Sequence, residues 1–322
     1  MHYVITGARG FLMSVLARTL LESRPDLTIT AIDRDEPDEF TRAYFAAVDD
    51  RIAFARVDVT DRRALIHAVG DTAEVLVHGA TVTHDPRSEA ADPAKFADIN
   101  IGGAVNVLDA ARTKEIGTVV LVSSGAVYGR NRATTLHENT ACEPDEMYGI
   151  SKVTSEAIAH RYAELFGLAI PIVRPTKMFG PMERPSSGRA MMSLPYYLAA
   201  AALHNRPLAV TARTLSAGGD WLSAADTVDA IAGILDAQPT GSPVYNISSG
   251  VRTSVHGLAD AFGVQLTTAD DGFDMDPAHE TGKNGVYINS RLTTDIGWTP
   301  RPLTAQVSAY MQWSHANPEC FT

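Results

Sequence analysis

The chain has 322 residues, 45% of them hydrophobic and 20% charged, which is the composition of a globular protein with one large domain or two smaller ones. Its formal net charge is −11, from 27 basic and 38 acidic residues, and no basic cluster reverses it locally, so binding to nucleic acid or to an anionic membrane is not expected. The longest apolar run, Leu194 to Leu203, is about half a membrane span and contains Pro195, which argues against a transmembrane helix.

The cysteines and the first residues exclude further classes of protein. Cys142 and Cys320 provide neither a disulfide framework nor the spacing of metal ligands, so no metal site is expected. The chain starts with the strand-like residues His2 to Thr6 and without the basic segment and apolar core of a signal peptide. A cytoplasmic protein is therefore predicted.

The first half of the chain alternates short β-branched runs with longer stretches of helical period. The predicted strands are Tyr3–Thr6, Thr28–Ile32, Ile52–Val57, Val75–His78 and Thr118–Val122. The predicted helices are Leu12–Glu22, Asp61–Val69 and Pro93–Thr113. Because the strands are apolar runs without clean alternation, both faces of the sheet are expected to be covered by crossover helices. The predicted fold class is therefore α/β, with a doubly wound parallel sheet.

The second half of the chain begins with the same alternation of predicted helices and strands, which then becomes irregular. A helix is predicted over Pro144–His160 and a further strand over Ala169–Arg174. Beyond this strand the chain is rich in proline and glycine, and later elements are short and scattered. Residues 178–322 are therefore expected to form mainly a smaller lobe beside the carboxyl ends of the strands. Residues 1–177 are expected to form the sheet domain, to which later segments return.

A glycine-rich turn follows the first predicted strand. Gly7 and Gly10 lie where a tight turn lets the backbone approach a pyrophosphate, whose charge the N-terminus of the next helix stabilises. A third small residue usually permits close packing of helix and strand here, but this position is Met13, which predicts a slightly displaced helix or a reshaped floor of the site. Two glycines alone are equally typical of a plain structural turn.

Asp33 lies about 20 residues beyond the turn, at the end of the second predicted strand. A carboxylate there accepts hydrogen bonds from the adenine-ribose hydroxyls and repels a 2′-phosphate, so NAD is predicted in preference to NADP. Arg34 keeps NADP open, because a neighbouring arginine can accommodate the extra phosphate. Asp58 and Val59, after the third strand, are candidates for the adenine pocket, although Asp58 alone is equally typical of a turn.

Tyr148 and Lys152 lie four residues apart, on one face of a predicted helix. A nearby ammonium stabilises tyrosinate and lowers the tyrosine pKa from about 10 towards neutrality, so this pair suits general acid/base chemistry. Upstream, the strand ending at Val122 is followed by Ser123 and Ser124. These hydroxyl groups are expected at the carboxyl edge of a parallel sheet, where open α/β sheets bind ligands.

Together, the glycine turn, Asp33, the Ser-Ser-x-x-Val-Tyr-Gly stretch and Tyr-x-x-x-Lys resemble the extended short-chain dehydrogenase/reductase family in order and spacing. Typical members of that family are nucleotide-sugar epimerases and dehydratases. Later segments also resemble it, among them Val173-Arg174-Pro175, Gly219-Asp220-Trp221 and Gly297-Trp298-Thr299-Pro300. The resemblance implies a Rossmann domain that binds NAD, a substrate-binding lobe, a carbohydrate substrate and, by analogy, a homodimer.

The resemblance also implies roles for single residues. Tyr148 is the acid/base, Lys152 lowers the pKa of Tyr148 and binds the nicotinamide ribose, and Ser124 hydrogen-bonds the reacting hydroxyl or carbonyl. The candidate cofactor-binding residues, besides Tyr148 and Lys152, are Gly7, Arg9, Gly10, Phe11, Leu12, Asp33, Asp58, Val59, Ala80 and Thr81. The candidate substrate-binding residues are Ser124, Gly125, Arg174 and Lys177. His78 and Asn100 are expected to be structural.

Three departures from the family pattern bear on the reaction. Dehydratases carry Asp-Glu after the catalytic hydroxyl, whereas this chain has Gly125 and Ala126, so elimination of water is not expected. Lys177 replaces an asparagine that helps to hold the substrate, and Gly219 replaces an arginine that often binds the diphosphate. Both replacements weaken the interpretation as a nucleotide-sugar enzyme.

The leading hypothesis is an NAD-dependent epimerase that acts on a secondary hydroxyl of a sugar or nucleotide sugar. An alternative is an NAD-dependent dehydrogenase of a sugar acid or another small anionic carbohydrate, with Lys177, Arg184 and Arg189 binding the anionic end. Pairing of Lys177 with Glu183 would remove that role. A third hypothesis, a catalytically silent dinucleotide-binding regulatory protein, depends on the unusual residues Met13, Lys177 and Gly219.

Overall fold

In the computed structural model, which describes residues 1–131, 133–185, 189, 191–275 and 285–321, the first half of the chain alternates strands and helices. Its strands are β1 (His2–Thr6), β2 (Thr28–Asp33), β3 (Ile52–Arg56), β4 (Val75–His78) and β5 (Thr118–Val122). Its helices are α1 (Phe11–Ser23), α2 (Glu39–Phe45), α3 (Arg62–Val69), α4 (Pro86–Ala91) and α5 (Gly103–Thr113), the last continuous with a π-helical turn, Phe96–Gly102. The five strands fall where the sequence predicts them, whereas α2 and α4 have too few residues for a helical period to show.

Most elements of the second half are short. Its strands are β6 (Thr135–Leu136), β7 (Ile172–Pro175), β8 (Lys177–Phe179), β9 (Leu208–Val210), β10 (Gly218–Gly219), β11 (Trp221–Ser223), β12 (Val244–Ile247), β13 (Thr253–Ser254), β14 (Leu266–Thr268) and β15 (Val286–Tyr287). Its helices are α6 (Met147–Phe166), α7 (Leu194–Leu203), α8 (Ala212–Ser216), α9 (Ala224–Ala237), α10 (Val255–Phe262), α11 (Ser290–Ile296) and α12 (Leu303–Ala316). The predicted helix is α6, which continues beyond His160 until Gly167, at φ 70°, ends it in the left-handed region.

Seven strands form one parallel sheet in the order β12-β7-β5-β4-β1-β2-β3. The chain proceeds from β1 to β2 and β3 on one side and then crosses to β4 on the other, so the strand order reverses between β1 and β4. Open α/β sheets bind ligands at this reversal, beyond the carboxyl ends of the strands. The doubly wound α/β fold predicted from the sequence is confirmed.

Two apolar layers cover the sheet. One contains Leu16 and Leu20 of α1 and Ile231 of α9, and the other contains Leu65 of α3 and Leu108 of α5, all fully buried. Strands β4 and β5 are buried along nearly their whole length, which explains why their sequences are apolar without alternation.

A third apolar cluster, around Phe179, Trp221 and Tyr310, lies outside the sheet domain. Its helix α7 is the longest apolar run of the sequence. Ser193 caps this helix and Pro195 lies in its first turn, where a missing N–H costs nothing. Strand β12 and helix α9 instead return to the sheet domain, where β12 forms the edge beside β7. Across the described ranges, no helix combines the length and the hydrophobicity that a bilayer crossing requires.

Candidate active site

A cavity of about 670 Å³ opens at the carboxyl edge of the sheet, beside the reversal of strand order. Its volume is in the range of small-molecule and cofactor sites, roughly 300 to 1,000 Å³. All twelve candidate cofactor-binding residues line it, from the turn after β1 to Tyr148 and Lys152 on α6. The structure therefore brings together in one cavity two motifs that are far apart in the sequence.

The turn after β1 requires glycine at position 7. Gly7 has a φ of 71°, and a Cβ there would lie 2.7 Å from the backbone nitrogen of Ala80. A Cβ at Gly10 would lie 2.9 Å from the Gly7 carbonyl oxygen. Helix α1 begins at the next residue, and no side chain caps its N-terminus. The backbone can therefore approach a phosphate closely, at a helix end that favours negative charge.

Met13 lines the cavity, and Gly79 makes room for its side chain. A Cβ at Gly79 would lie 2.4 Å from the Met13 side chain, so any larger residue at position 79 would overlap it. Both residues line the cavity. The bulky residue on α1 is thus accommodated by a glycine after β4, and the two residues form one packing unit.

Asp33 ends β2 and is held by two backbone groups. Its Oδ2 accepts a hydrogen bond from the N–H of Arg9 at 3.0 Å, and its Oδ1 accepts one from the N–H of Asp35 at 3.3 Å. Burial raises the pKa of the Asp33 carboxyl, and the two hydrogen bonds lower it. The guanidinium of Arg34, the residue that kept NADP open, lies 3.5 Å from the carboxylate of Asp35.

Asp58 fits both interpretations offered for it. It lines the cavity together with Val59, and its carboxylate also accepts a hydrogen bond from the Thr60 backbone N–H at 2.9 Å, as in a turn. Ala80 and Thr81, directly after β4, line the cavity as well.

Ser124, Tyr148 and Lys152 all line the cavity. The Ser124 hydroxyl accepts a hydrogen bond from the Ala126 N–H at 3.1 Å and lies near enough to the Tyr148 phenol to lower its pKa. The Nζ atom of Lys152 donates to the Val122 carbonyl at 2.8 Å and lies 5.6 Å from the centre of the Tyr148 ring. A hydroxyl, a phenol and an ammonium therefore meet at one end of the cavity.

The electrostatics of Tyr148 differ from the sequence-based expectation. Burial raises the pKa of its phenol and Glu146 raises it further, whereas the Ser124 hydroxyl and the positive charge of Arg189 lower it. Lys152 is not among these causes, since its Nζ is directed to the Val122 carbonyl. Burial also lowers the pKa of Lys152, to about 8.

His78 and Asn100 make hydrogen bonds next to the site without lining the cavity. His78 is buried, its Nδ1 lies 2.8 Å from the Thr6 hydroxyl, and burial lowers its pKa to about 3, so the ring is neutral. Asn100, in the π-helical turn, accepts a hydrogen bond from the Val82 N–H and donates one to the Ser151 hydroxyl. It thus joins the segment after β4 to the helix that carries Tyr148, which is the structural role expected from the sequence.

Gly125 does not line the cavity, although the sequence assigns it to the substrate. The Tyr287 ring of β15 covers it, and a Cβ at Gly125 would lie 2.4 Å from the Tyr287 hydroxyl. That hydroxyl donates to the Gly125 carbonyl at 3.3 Å. An acidic side chain of the dehydratase type has no room at this position unless Tyr287 moves.

Arg174, another predicted substrate residue, is also absent from the lining formed by the described residues. It is 4% exposed, and its guanidinium donates to the two Glu156 oxygens at 2.9 and 2.6 Å. It further donates to the Tyr128 hydroxyl at 3.0 Å. Its whole polar end is therefore engaged inside the protein, so we correct its assignment from substrate binding to structure.

Lys177 lies on β8 between Thr176 and Met178, which line the cavity, whereas Lys177 does not. Its Nζ lies 5.8 Å from the centre of the Trp221 ring and 3.1 Å from the place that a Cβ at Gly219 would occupy. The alternation of side chains along a strand explains why it diverges from its neighbours. The site centred on Lys177 that the sequence predicts is therefore not formed in the large cavity.

Arg189, which sequence reasoning placed beside Lys177, is found elsewhere. It lines the large cavity and donates from Nη2 to Glu183 at 2.5 Å. Lys95 also lines this cavity, and sequence reasoning missed it because no motif marks it. The structure thus moves the cationic groups of the site from Lys177 to positions beside the glycine turn and Tyr148.

The family model for the NAD dependent epimerase/dehydratase family matches residues 3–248. The chain belongs to this family. Among its relatives, a putative UDP-glucose 4-epimerase of Methanocaldococcus jannaschii is 24% identical over 98% of both chains. A dTDP-glucose 4,6-dehydratase of Streptomyces griseus is 27% identical over 98% of this chain and 94% of its own. The UDP-glucose 4-epimerase of Bifidobacterium longum, solved with NAD+ and UDP, has the same fold, with a TM-score of 0.83, 18% identity and complete coverage of both chains.

Family membership confirms the resemblance drawn from the motifs and makes the chain an NAD-dependent enzyme of the extended short-chain dehydrogenase/reductase type. Its relatives include both epimerases and dehydratases. The family therefore fixes the cofactor and the general chemistry, while the choice of reaction depends on the residues of this site.

Proposed function

We propose that this enzyme oxidises a secondary hydroxyl of a sugar or nucleotide sugar, with Tyr148 as the acid/base, and that it is an epimerase. The observation that carries the proposal is the convergence of Ser124, Tyr148 and Lys152 on one cavity with the glycine turn and Asp33. The family's curated relatives that act on UDP-glucose and dTDP-glucose support a carbohydrate as the substrate.

The cavity fits the cofactor of the family. Gly7 and Gly10 have no side chains, so the backbone of the turn can approach a pyrophosphate, and Asp33 is placed to accept hydrogen bonds from ribose hydroxyls. Lys152 would bind the nicotinamide ribose, with Ala80 and Thr81 near the nicotinamide half. When bound, NAD supplies the hydride acceptor, and the protein supplies the geometry and the proton transfer.

Ser124 and Tyr148 act on the proton of the substrate hydroxyl. Tyr148 takes the proton of the substrate hydroxyl, and the Ser124 hydroxyl, which lines the same cavity, orients it. Because burial raises the pKa of Tyr148, the phenol is protonated at neutral pH in the resting site. The phenol must therefore lose its proton before it can act as the base, and the charge of Arg189 and the Ser124 hydroxyl favour that loss.

The absence of an acidic pair after Ser124 argues against dehydration. Gly125 and Ala126 occupy those positions, and Tyr287 fills the space that a side chain at 125 would need. Epimerisation and net dehydrogenation need no second acid of that kind.

The alternative function is a dehydrogenase of a sugar acid or another small anionic carbohydrate. The cationic residues Arg189 and Lys95 in the cavity favour it.

A cofactor assay separates these functions. We expect protein purified without added cofactor to contain NAD, and to interconvert two sugars without net formation of NADH. The measurement is absorbance at the NADH band together with chromatography of a panel of UDP-sugars, dTDP-sugars, uronates and aldonates. Stoichiometric NADH would show a dehydrogenase instead, and bound dinucleotide without turnover of any sugar would favour the regulatory hypothesis.

We expect wild-type protein to bind NAD more tightly than NADP, because the Asp33 carboxylate accepts from the ribose hydroxyls and repels a 2′-phosphate. Replacing Asp33→Asn should weaken NAD binding about tenfold or more, since hydrogen bonds to a charged group contribute roughly 1.5 to 3 kcal/mol. Calorimetric dissociation constants for both dinucleotides provide the test, and Arg34→Gln is the matched control. Tighter binding of NADP by wild type that is lost in Arg34→Gln would show that Arg34 sets the preference.

A further inference from the structure

We propose that Arg189 is an anion receptor of the cavity: the Nε–H group of its guanidinium donates to a negatively charged oxygen of a bound ligand, either the cofactor pyrophosphate or a carboxylate of the substrate. This inference rests on the proposed function, since it assigns a ligand group to the same site. The shared chemistry is a charged hydrogen bond to an oxyanion, and the two sources are separated by experiment below.

Arg189 lies close to the start of α1 and to Tyr148. The residue lines the cavity, and its guanidinium lies 5.3 Å from the centre of the Phe11 ring, at the first residue of α1. Its charge also lowers the pKa of the Tyr148 phenol. Arg189 therefore lies between the glycine turn and the catalytic tyrosine, where a dinucleotide and a substrate would meet.

The buried carboxylate of Glu183 holds Arg189 in place. Glu183 is fully buried, and its Oε1 accepts from Nη2 of Arg189 at 2.5 Å and from the Ser193 N–H at 2.7 Å. Its Oε2 accepts from the Ser193 hydroxyl at 2.8 Å. Glu183 thus holds the guanidinium through Nη2, and both of its own oxygens are also shared with Ser193. Nε of Arg189, on the same side of the guanidinium as Nη2, makes no hydrogen bond with this carboxylate.

One donor of Arg189, its Nε–H group, is not satisfied by the protein. The Nε atom of Arg189 is buried and has no hydrogen-bond partner within the described part of the chain. A buried donor without a partner is costly, and its cost is removed when a ligand oxygen accepts from it. A hydrogen bond from a guanidinium to an oxyanion is roughly twice as strong as one between neutral groups. The ligand group best suited to this position is therefore an oxyanion.

A purely structural role is the rival explanation, in which Arg189 only neutralises Glu183. Arg189→Lys keeps a positive charge beside Glu183 but removes Nε–H and the planar fork. The double variant Arg189→Gln/Glu183→Gln removes the receptor without leaving a buried carboxylate unpaired. Arg301→Lys is the matched control, because Arg301 also pairs with a buried carboxylate, that of Asp226, but does not line the cavity.

The test measures dissociation constants by calorimetry on the full chain, first for NAD and then, with NAD bound, for UDP-glucuronate and UDP-glucose. These sugars differ in whether the sixth carbon is a carboxylate. We expect Arg189→Lys and the double variant to weaken one binding step about tenfold to a hundredfold. A loss confined to NAD identifies the pyrophosphate, and a loss confined to UDP-glucuronate identifies the substrate carboxylate.

The receptor role is rejected if both variants bind all three ligands as wild type does, if neither sugar nor NAD binds at all, or if Arg301→Lys causes the same loss. Unfolding in urea is measured in parallel, and a loss of stability without a selective loss of binding also rejects it. Turnover distinguishes this outcome from failure of the proposed function. If wild type converts no sugar but the selective binding loss is seen, the receptor stands and the proposed reaction falls.

Discussion

Tyr148→Phe is expected to reduce turnover about 10²- to 10⁴-fold, the usual contribution of a general acid/base, while leaving NAD binding nearly unchanged. The phenol is the only group lost, and the ring can keep its place beside Lys152, whose Nζ is held by the Val122 carbonyl rather than by the phenol. Turnover is measured on the sugar that wild type converts fastest, and NAD binding is measured by calorimetry.

Tyr162→Phe is the matched control for this substitution. Tyr162 lies on the same helix α6, is only partly buried and packs against Phe166 rather than towards the cavity. Its loss should change turnover less than twofold. Wild-type rates in Tyr148→Phe would remove the acid/base assignment, whereas equal losses in both variants would point to a general effect on α6.

The fold and the cofactor end of the site are largely readable from the sequence because their signals are local. Buried parallel strands need continuous apolar runs, and the turn after β1 needs Gly7 because of its positive φ. Ser124, Tyr148 and Lys152 follow from motif spacing, and a parallel sheet delivers the ends of its strands to a common edge. These inferences require no knowledge of which distant side chains touch.

The substrate end is not readable in this way, because there the residues act in pairs that are distant in sequence. Met13 is accommodated by Gly79, Gly125 is covered by Tyr287, and Lys177 lies in the space beside Gly219. The unusual residue of each pair can be seen in the sequence, but its contact with the second residue is known only from the three-dimensional structure. Lys177 and Arg174 therefore lie outside the cavity lining although the sequence predicts them as substrate residues, since nothing local shows that one diverges from the cavity and the other is paired inside the protein.

Arg174→Met is expected to lower the free energy of unfolding by about 3 to 5 kcal/mol, because it leaves the Glu156 carboxylate buried without its partner. Arg174 and Glu156 are 4% exposed each, and two hydrogen bonds join them. Arg174 lies on β7 and Glu156 on α6, so the pair fastens the helix that carries Tyr148 to the sheet. Urea denaturation of the purified chain measures the loss.

The double variant Arg174→Met/Glu156→Leu should recover most of that stability, since replacing both charges of a buried pair by apolar groups is often neutral or favourable. A substrate role for Arg174 predicts a different pattern, namely near-normal unfolding with a raised KM in the single variant and no recovery in the double one. The Ser123 hydroxyl also donates to Glu156, at 2.5 Å, so recovery should be incomplete by about the contribution of one hydrogen bond, ~1 kcal/mol. Full recovery of stability would show that Ser123 finds another acceptor.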